Sequence, residues 1–369
     1  MIGDVLIMYG KNIAVLYGGG QIPSANFVLG KLMEKLLKRG DLTVYGVHKS
    51  FWGLSDSSCY EEFTIQKAKE IQTQVGTYLS TCRKVNPAED KWFEKIISNL
   101  KEKSIRTIIV PGGDGSSRAG NALAQRAKKE GYEIQIVFIP CTIDGINGSD
   151  TIGIDSAVAE SERQASLIMT NAFATWNPQF FGPRVAIIEM QGRNRNDIAV
   201  NVMKKLIDKR TIGSYHISDI NLIFIPAGYD WSYYDLLKRV NSTERETAII
   251  VSEGAEPIES CWNAAVDGNS VGDKIKNLIK KGEVREANLA VVGYLSQSND
   301  QISEAERKKI QDWISFAVKA MYATNDSIAA IKTNDFETMS LEEFAESTES
   351  EKAIPLTNEE VDTLREYLP

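Results

Sequence analysis

Three times in its first 150 residues the chain runs from a short apolar stretch directly into a loop of glycines and small polar residues. Asn12–Leu16 leads into Tyr17-Gly18-Gly19-Gly20, Ile105–Val110 into Pro111-Gly112-Gly113-Asp114-Gly115-Ser116-Ser117, and Ile134–Ile139 into Pro140-Cys141-Thr142-Ile143-Asp144-Gly145. Runs rich in β-branched residues and alternating with amphipathic stretches specify a parallel sheet with crossover helices. A helix is expected from about Ser24, with Phe27, Val28, Leu32, Leu36 and Leu37 near helical spacing, and another over Ala119–Glu130. Further strands are expected at Leu42–Val47, Arg184–Glu189, Asn221–Ile225, Thr247–Val251 and Asn288–Val292. The acidic segment from Asn334 reads as surface helix and loop. The fold class is therefore α/β.

Composition narrows the function. A length of 369 residues exceeds what one compact core usually holds, so one large or two closely packed α/β units are expected. A formal charge of −8, with no basic tract, argues against a nucleic-acid partner. Apolar runs such as Ala248–Val251 are too short to span a bilayer, so no membrane partner is expected. The opening MIGDVLIMYGKN lacks the features of a signal peptide, and the four cysteines are widely spaced with no CxxC pair. Reduced thiols and a cytoplasmic location are the expectation. Only His48 and His216 could serve a histidine mechanism, so carboxylates and arginines are the better candidates for chemistry.

Each glycine-rich strand end suits an anion, because bare backbone and a helix N-terminus approach it closely. The Gly18–Gly20 triplet taken alone fits a tight β–α turn equally well. The second loop is more specific: Asp114 beside backbone glycine suits Mg²⁺ held next to a polyphosphate, the alternative being a helix cap. In the third, Asp144 follows a strand and suits a base that takes a proton from an attacking hydroxyl; an isolated Asp also suits a turn.

In this order and at these distances, the three loops together resemble the ATP-dependent 6-phosphofructokinase family. Val44-Tyr45-Gly46 with Trp52-Gly53-Leu54, Gly76–Arg83, Arg184–Arg193, Ser252-Glu253 and Val292–Gln297 are similar to later segments of that family, so the likeness runs from about Asn12 to Asn358. The resemblance implies two Rossmann-like three-layer α/β/α halves with the active site between them. Residues 1–150 would bind ATP and Mg²⁺, with part of the C-terminal segment packing back on them; 151–320 would bind the acceptor, and 321–369 would form an acidic helical and loop segment. It implies that Gly20, Arg83, Gly113, Gly115 and Ser116 hold ATP, with Asp114 on Mg²⁺. By the same likeness Asp144 is the base, Thr142 positions the transferred phosphoryl group and Arg193 offsets its charge. Gly115 and Cys141 favour a nucleotide over a pyrophosphate donor, whose users commonly carry Asp and Lys there. A homodimer or homotetramer is implied, with Arg184 reaching a neighbouring subunit's site.

The acceptor side departs from the family. Where its members grip a sugar 6-phosphate with arginines and a histidine, this chain has Asn288, Tyr294 and Gln297, with Arg285 nearby. Losing two or three such partners, each worth about 1.5–3 kcal/mol, weakens phosphate binding roughly a thousandfold. Gln191 replaces the usual Met before Gly192 and Arg193, and Gly30 and Lys31 replace effector-site arginines. The run after Asp144 is about one residue shorter and lacks the second carboxylate unless Asn147 fills its place. The expectation is a kinase acting on a small sugar, polyol or nucleoside-like acceptor lined by Arg184, Gln191, Gly192, Glu253, Tyr294 and Gln297. The alternatives are a genuine 6-phosphofructokinase and a non-catalytic nucleotide-binding homologue.

Overall fold

The computed structural model describes residues 11–83, 85–146, 149–175, 182–192, 195–258, 268–281, 286–292, 301–347 and 355–369. In chain order the strands are β1 (Asn12–Leu16), β2 (Thr43–Val47), β3 (Tyr60–Glu62), β4 (Ile105–Gly112), β5 (Gln135–Pro140), β6 (Val185–Met190), β7 (Thr211–Ile212), β8 (Tyr215–His216), β9 (Asn221–Ile225), β10 (Thr247–Ser252), β11 (Ala287–Val292), β12 (Ile328–Lys332) and β13 (Phe336–Ser340). The chain divides into two units, Met1–Ser156 with Gln297–Glu349 and Ala157–Ser296 with Ser350–Pro369.

The first unit is built on a seven-stranded sheet of order β13-β12-β5-β4-β1-β2-β3. Its five inner strands run parallel, while β3 and β13 pair antiparallel at the two edges. Every residue of β5 is buried, which is why this strand reads as an unbroken apolar run rather than an alternating one. Ile108, Val110, Ile136, Phe138 and Phe344 meet in the core, where trimming Phe138 to alanine costs about 3–5 kcal/mol. The chain leaves β1 toward β2 on one side and returns to β4 on the other. That reversal makes the C-terminal ends of β1 and β4 a topological switch point, the place where an open α/β sheet leaves a crevice.

The segment from Asn334 is corrected here. Residues 336–340 form a strand, joined to β12 in a hairpin that pairs with β5 through Ile328 and Ala329. The many acidic residues there masked a strand whose exposed edge face is polar. Gly30, in the helix Ala25–Leu37, packs so tightly on the helix Ile65–Ile71 that a Cβ would lie 2.4 Å from the Ala68 carbonyl oxygen, so no arginine fits at that position.

The second unit carries a four-stranded parallel sheet of order β11-β6-β10-β9. Val185, Ile187, Ile223, Ile249, Val251 and Ile275 form its core. Among the described residues no helix is long and apolar enough to cross a membrane.

Candidate active site

Backbone hydrogen bonds draw the first unit's three loops together. The Gly18 N–H donates to the Pro111 carbonyl at 2.9 Å, and the Cys141 N–H to the Gly112 carbonyl at 2.8 Å. At Gly18 glycine is required by the closeness of this approach, while at Gly20 a side chain would displace the end of Arg83. A Cβ on Gly18 would lie 2.2 Å from Ser116 Oγ, one on Gly20 would lie 2.6 Å from Arg83 Nη2, and Gly19 has φ +89°. The triplet is thus packed against the second loop and beside the Arg83 guanidinium, a stricter requirement than a turn alone imposes.

Asp114 opens the 16-residue helix Asp114–Lys129, five residues before the expected Ala119. The capping alternative fails. Gly113 occupies the cap position with the extended φ of −99° and ψ of −173°, and Asp114 already lies in the first turn. Its half-buried carboxylate sits in the first turn, at the helix end whose dipole favours anions. Ser116 and Ser117 are buried, their N–H groups both directed to the Gly113 carbonyl at 2.8 and 3.2 Å. Gly115 differs from its neighbours: it is exposed, and a Cβ there would meet nothing within 4 Å.

The third loop folds back on itself through Thr142. Its N–H donates to the Ile152 carbonyl at 3.0 Å, its carbonyl accepts from Thr151 Oγ1 at 3.0 Å, and its Oγ1 accepts the Asp144 N–H at 3.1 Å. Thr142 also faces Gly113, whose Cβ would lie 3.5 Å from Thr142 Oγ1. Thr142 therefore stands against the second loop, and half-buried Asp144 is tied to it through the Thr142 hydroxyl. Beneath them Cys141 is buried and burial pushes its thiol pKa well up, so it stays neutral.

Sequence reasoning missed what lies under these loops. Glu306, from the helix Glu304–Met321, is buried, accepts from Ser24 Oγ at 3.4 Å and is hydrogen-bonded by Ser156 Oγ. Burial raises its pKa, partly opposed by those hydroxyls. The one available signal was Ser303 with Glu306, a helix-capping spacing whose cap bond forms at 3.1 Å.

In the second unit, Gln191 and Gly192 follow β6, and Glu253 follows β10. The two strands are neighbours with Ser252 opposite Met190, which brings the Glu253 carboxylate to the Gly192 N–H at 3.3 Å. Asn196 braces this end, accepting from Ser252 Oγ at 2.9 Å and from the Ala227 N–H at 2.8 Å. Glu189 is buried and accepts the Gly272 N–H at 2.7 Å, so it anchors the start of the helix Val271–Lys281. Arg184 stands at the opposite end of β6, roughly 20 Å of extended chain away. There it donates to the Ala172 carbonyl at 3.0 Å. The structure does not bring it beside Gln191, Gly192 and Glu253 of its own chain. Asn288 is exposed on edge strand β11. Arg193, Tyr294 and Gln297, with Asn147 and Arg285, lie outside the described residues.

The model of the phosphofructokinase family matches residues 12–307. The chain belongs to the phosphofructokinase family. It is 34% identical over 192 residues to the ATP-dependent 6-phosphofructokinase of Staphylococcus epidermidis, covering 52% of this chain and 56% of that protein. It is 31% identical over 192 residues to the enzyme of the same name from Streptococcus thermophilus, covering 52% of each. The chain thus spans about half the length of the curated relatives it matches. Its fold is that of the pyrophosphate-dependent phosphofructokinase of Marinobacter aquaeolei (TM-score 0.75, 18% identity, 97% of this chain and 90% of that one). It is equally that of Pichia pastoris phosphofructokinase (TM-score 0.72, 18% identity, 96% and 41%).

The residues of the first unit fit a metal–polyphosphate. Among the described residues no three His, Cys, Asp or Glu side chains gather into a cage. Mg²⁺ needs none, since it takes one or two carboxylates and completes its shell with phosphate oxygens and water. Asp114 would supply that carboxylate at a glycine cradle, with open space over Gly115.

Proposed function

We propose that this protein is an ATP- and Mg²⁺-dependent phosphotransferase that passes the γ-phosphoryl group to a hydroxyl of a small sugar, polyol or nucleoside-like acceptor. The observation that carries the reading is the meeting of Gly18–Gly20, Gly113–Ser116 and Thr142–Asp144 at adjacent ends of β1, β4 and β5. Gly20, Arg83, Gly113, Gly115 and Ser116 would hold the nucleotide and Asp114 the metal. Bound Mg²⁺ supplies neutralisation of the phosphate charge that builds during transfer. Thr142 Oγ1 already accepts the Asp144 N–H, which leaves its own hydrogen to donate to the transferred group. The Asp144 carboxylate would take the proton of the attacking hydroxyl. Arg193 would offset the migrating charge. Gln191, Gly192, Glu253, Tyr294 and Gln297 would line the acceptor, with Arg184 serving a neighbouring subunit of a homo-oligomer.

The acceptor is proposed to differ from fructose 6-phosphate because Asn288, Tyr294 and Gln297 are not cationic. The names of the curated relatives favour a second reading, a 6-phosphofructokinase whose phosphate grip rests on Arg184 and Arg285. A screen of phosphate-free and phosphorylated acceptors with Mg-ATP, scored by ADP release, separates the two. Saturation by sub-millimolar fructose 6-phosphate would establish the second reading, and no stimulation by any acceptor would remove both.

A further inference from the structure

The segment that carries Asp144 has little regular structure to hold it. Among the described residues between Cys141 and Gly153 its strand-type pairings are the isolated bridges Cys141↔Ile152 and Ile146↔Ser149, and Gly145 and Gly153 both have positive φ. A loop of this kind keeps its shape only if other elements fix it. The fixing comes from more than 150 residues away in sequence. On the helix Glu304–Met321, Lys309 keeps only 16% of its side-chain surface exposed and places Nζ 2.8 Å from Asp150 Oδ2 and 3.2 Å from Asp155 Oδ2. Burial alone would lower the Lys309 pKa, but the two carboxylates outweigh it and hold the ammonium charged. The backbone joins in: the Asp150 N–H donates to the Lys332 carbonyl at 2.7 Å, and the Lys332 N–H donates to Ser149 Oγ at 3.1 Å.

From Asp150 the connection continues inward. Asp150 Oδ1 accepts the Thr151 N–H at 2.8 Å, Thr151 Oγ1 donates to the Thr142 carbonyl at 3.0 Å, and Thr142 Oγ1 accepts the Asp144 N–H at 3.1 Å. Every link is a hydrogen bond, and the first is a charge pair in which the Lys309 side chain is mostly buried and that of Asp150 is 36% exposed. We propose that Lys309 is a positioning residue for Asp144, acting through Asp150, Thr151 and Thr142 to hold the base in reach of the acceptor hydroxyl. The proposal rests on the reading of Asp144 as the base.

The test combines hydrogen exchange with steady-state kinetics on the full chain, comparing wild type, Lys309→Met, Lys309→Arg and Asp144→Ser. In Lys309→Met, amides of residues 141–153 should exchange about tenfold faster while those of 12–24 do not change, because the strut holds one loop and not the sheet. Lys309→Arg should restore protection, since it keeps the charge. With Mg-ATP and the best acceptor among fructose 6-phosphate, fructose, ribitol and adenosine, kcat of Lys309→Met should fall about a hundredfold with KM for ATP within about twofold. Unchanged exchange at 141–153, or acceleration spread equally over 12–24, would overturn the proposal. If Lys309→Met does not fold, Asp150→Asn carries the same expectations. Full turnover in Asp144→Ser would remove the base reading itself. An inactive Asp144→Ser beside a fully active Lys309→Met would remove only the positioning role.

Discussion

The strand ends of the first unit and those of the second solve different problems. In the first, three loops from adjacent strands are joined backbone to backbone, and the glycines are there because no side chain fits between Gly18 and Ser116. In the second, the ends of β6 and β10 are joined by the Glu253 N–H to the Met190 carbonyl at 3.0 Å and by the Gly192 N–H to the Glu253 carboxylate. Asn196 braces Ser252 there, while Arg184 lies at the far end of β6. A polyphosphate is held largely by backbone geometry, whereas an acceptor is distinguished by side chains that change without disturbing the sheet. On the proposed function, the contrast teaches that Gly18 of the donor side tolerates little substitution and the acceptor side much.

The largest expected effect is on the donor side. Asp144→Ser should lower turnover about a thousandfold or more while Mg-ATP affinity, read by calorimetry, stays within about twofold. Retained turnover would break the contrast at its centre. Gly115→Asp is next. A side chain there has room, so thermal stability should be unchanged, but a carboxylate facing a triphosphate should weaken nucleotide binding about a hundredfold. Unaltered ATP affinity would mean that the open space over Gly115 is not where the nucleotide lies.

On the acceptor side, Asn288→Arg places a cation on an exposed strand position and should leave the melting temperature unchanged. Asn288 pairs with Ala186 at the Arg184 end of the sheet, so the expected gain, about tenfold in affinity for fructose 6-phosphate in the coupled assay, would come through a neighbouring subunit's site. No gain would place Asn288 away from that site. The smallest effect is on stability. A hydrogen bond from Lys38, then one from Gln72, hold Glu34 in the folded protein at about 2, below its ordinary 4.5. Its contribution is therefore fully present above pH 4.5 and is lost as pH falls toward 2. Melting temperature measured through that window should drop by a few degrees, and Glu34→Gln should flatten this part of the profile.

How much of this was legible in the chain varies by element. Strands β1 and β9 lie at the expected residues, and β5, β6 and β10 within one residue, because strands buried on both faces advertise themselves as apolar runs. Edge strand β11, partly exposed, is also within one residue, on its Leu, Ala and Val content alone. The loops of Gly18–Gly20 and Gly113–Ser116 were equally visible, since glycine and small residues are what a close backbone approach demands. Asp114 was legible in identity but not in place: its sequence neighbours suit a cap as well as a first turn. Strand β13 was hidden because its partner, β12, supplies the evidence for pairing and Phe336–Ser340 itself carries little apolar pattern. Arg184 matched its motif, yet where its guanidinium goes depends on Ala172 at the end of another helix.

The amino-acid order by itself determined the α/β class, the parallel strands and the three glycine-bearing ends, because each depends on residues adjacent in the chain. Tertiary structure alone decided that Gly18 meets Ser116 and that Thr142 faces Gly113. It also decided that Glu306 and Lys309 reach under the loops from the far end of the sequence. Those arrangements arise from packing between segments more than a hundred residues apart, or from sheet neighbours that topology rather than sequence proximity places side by side. Local pattern carries no record of such partners, so the arrangement of these loops exists only once the sheet has assembled.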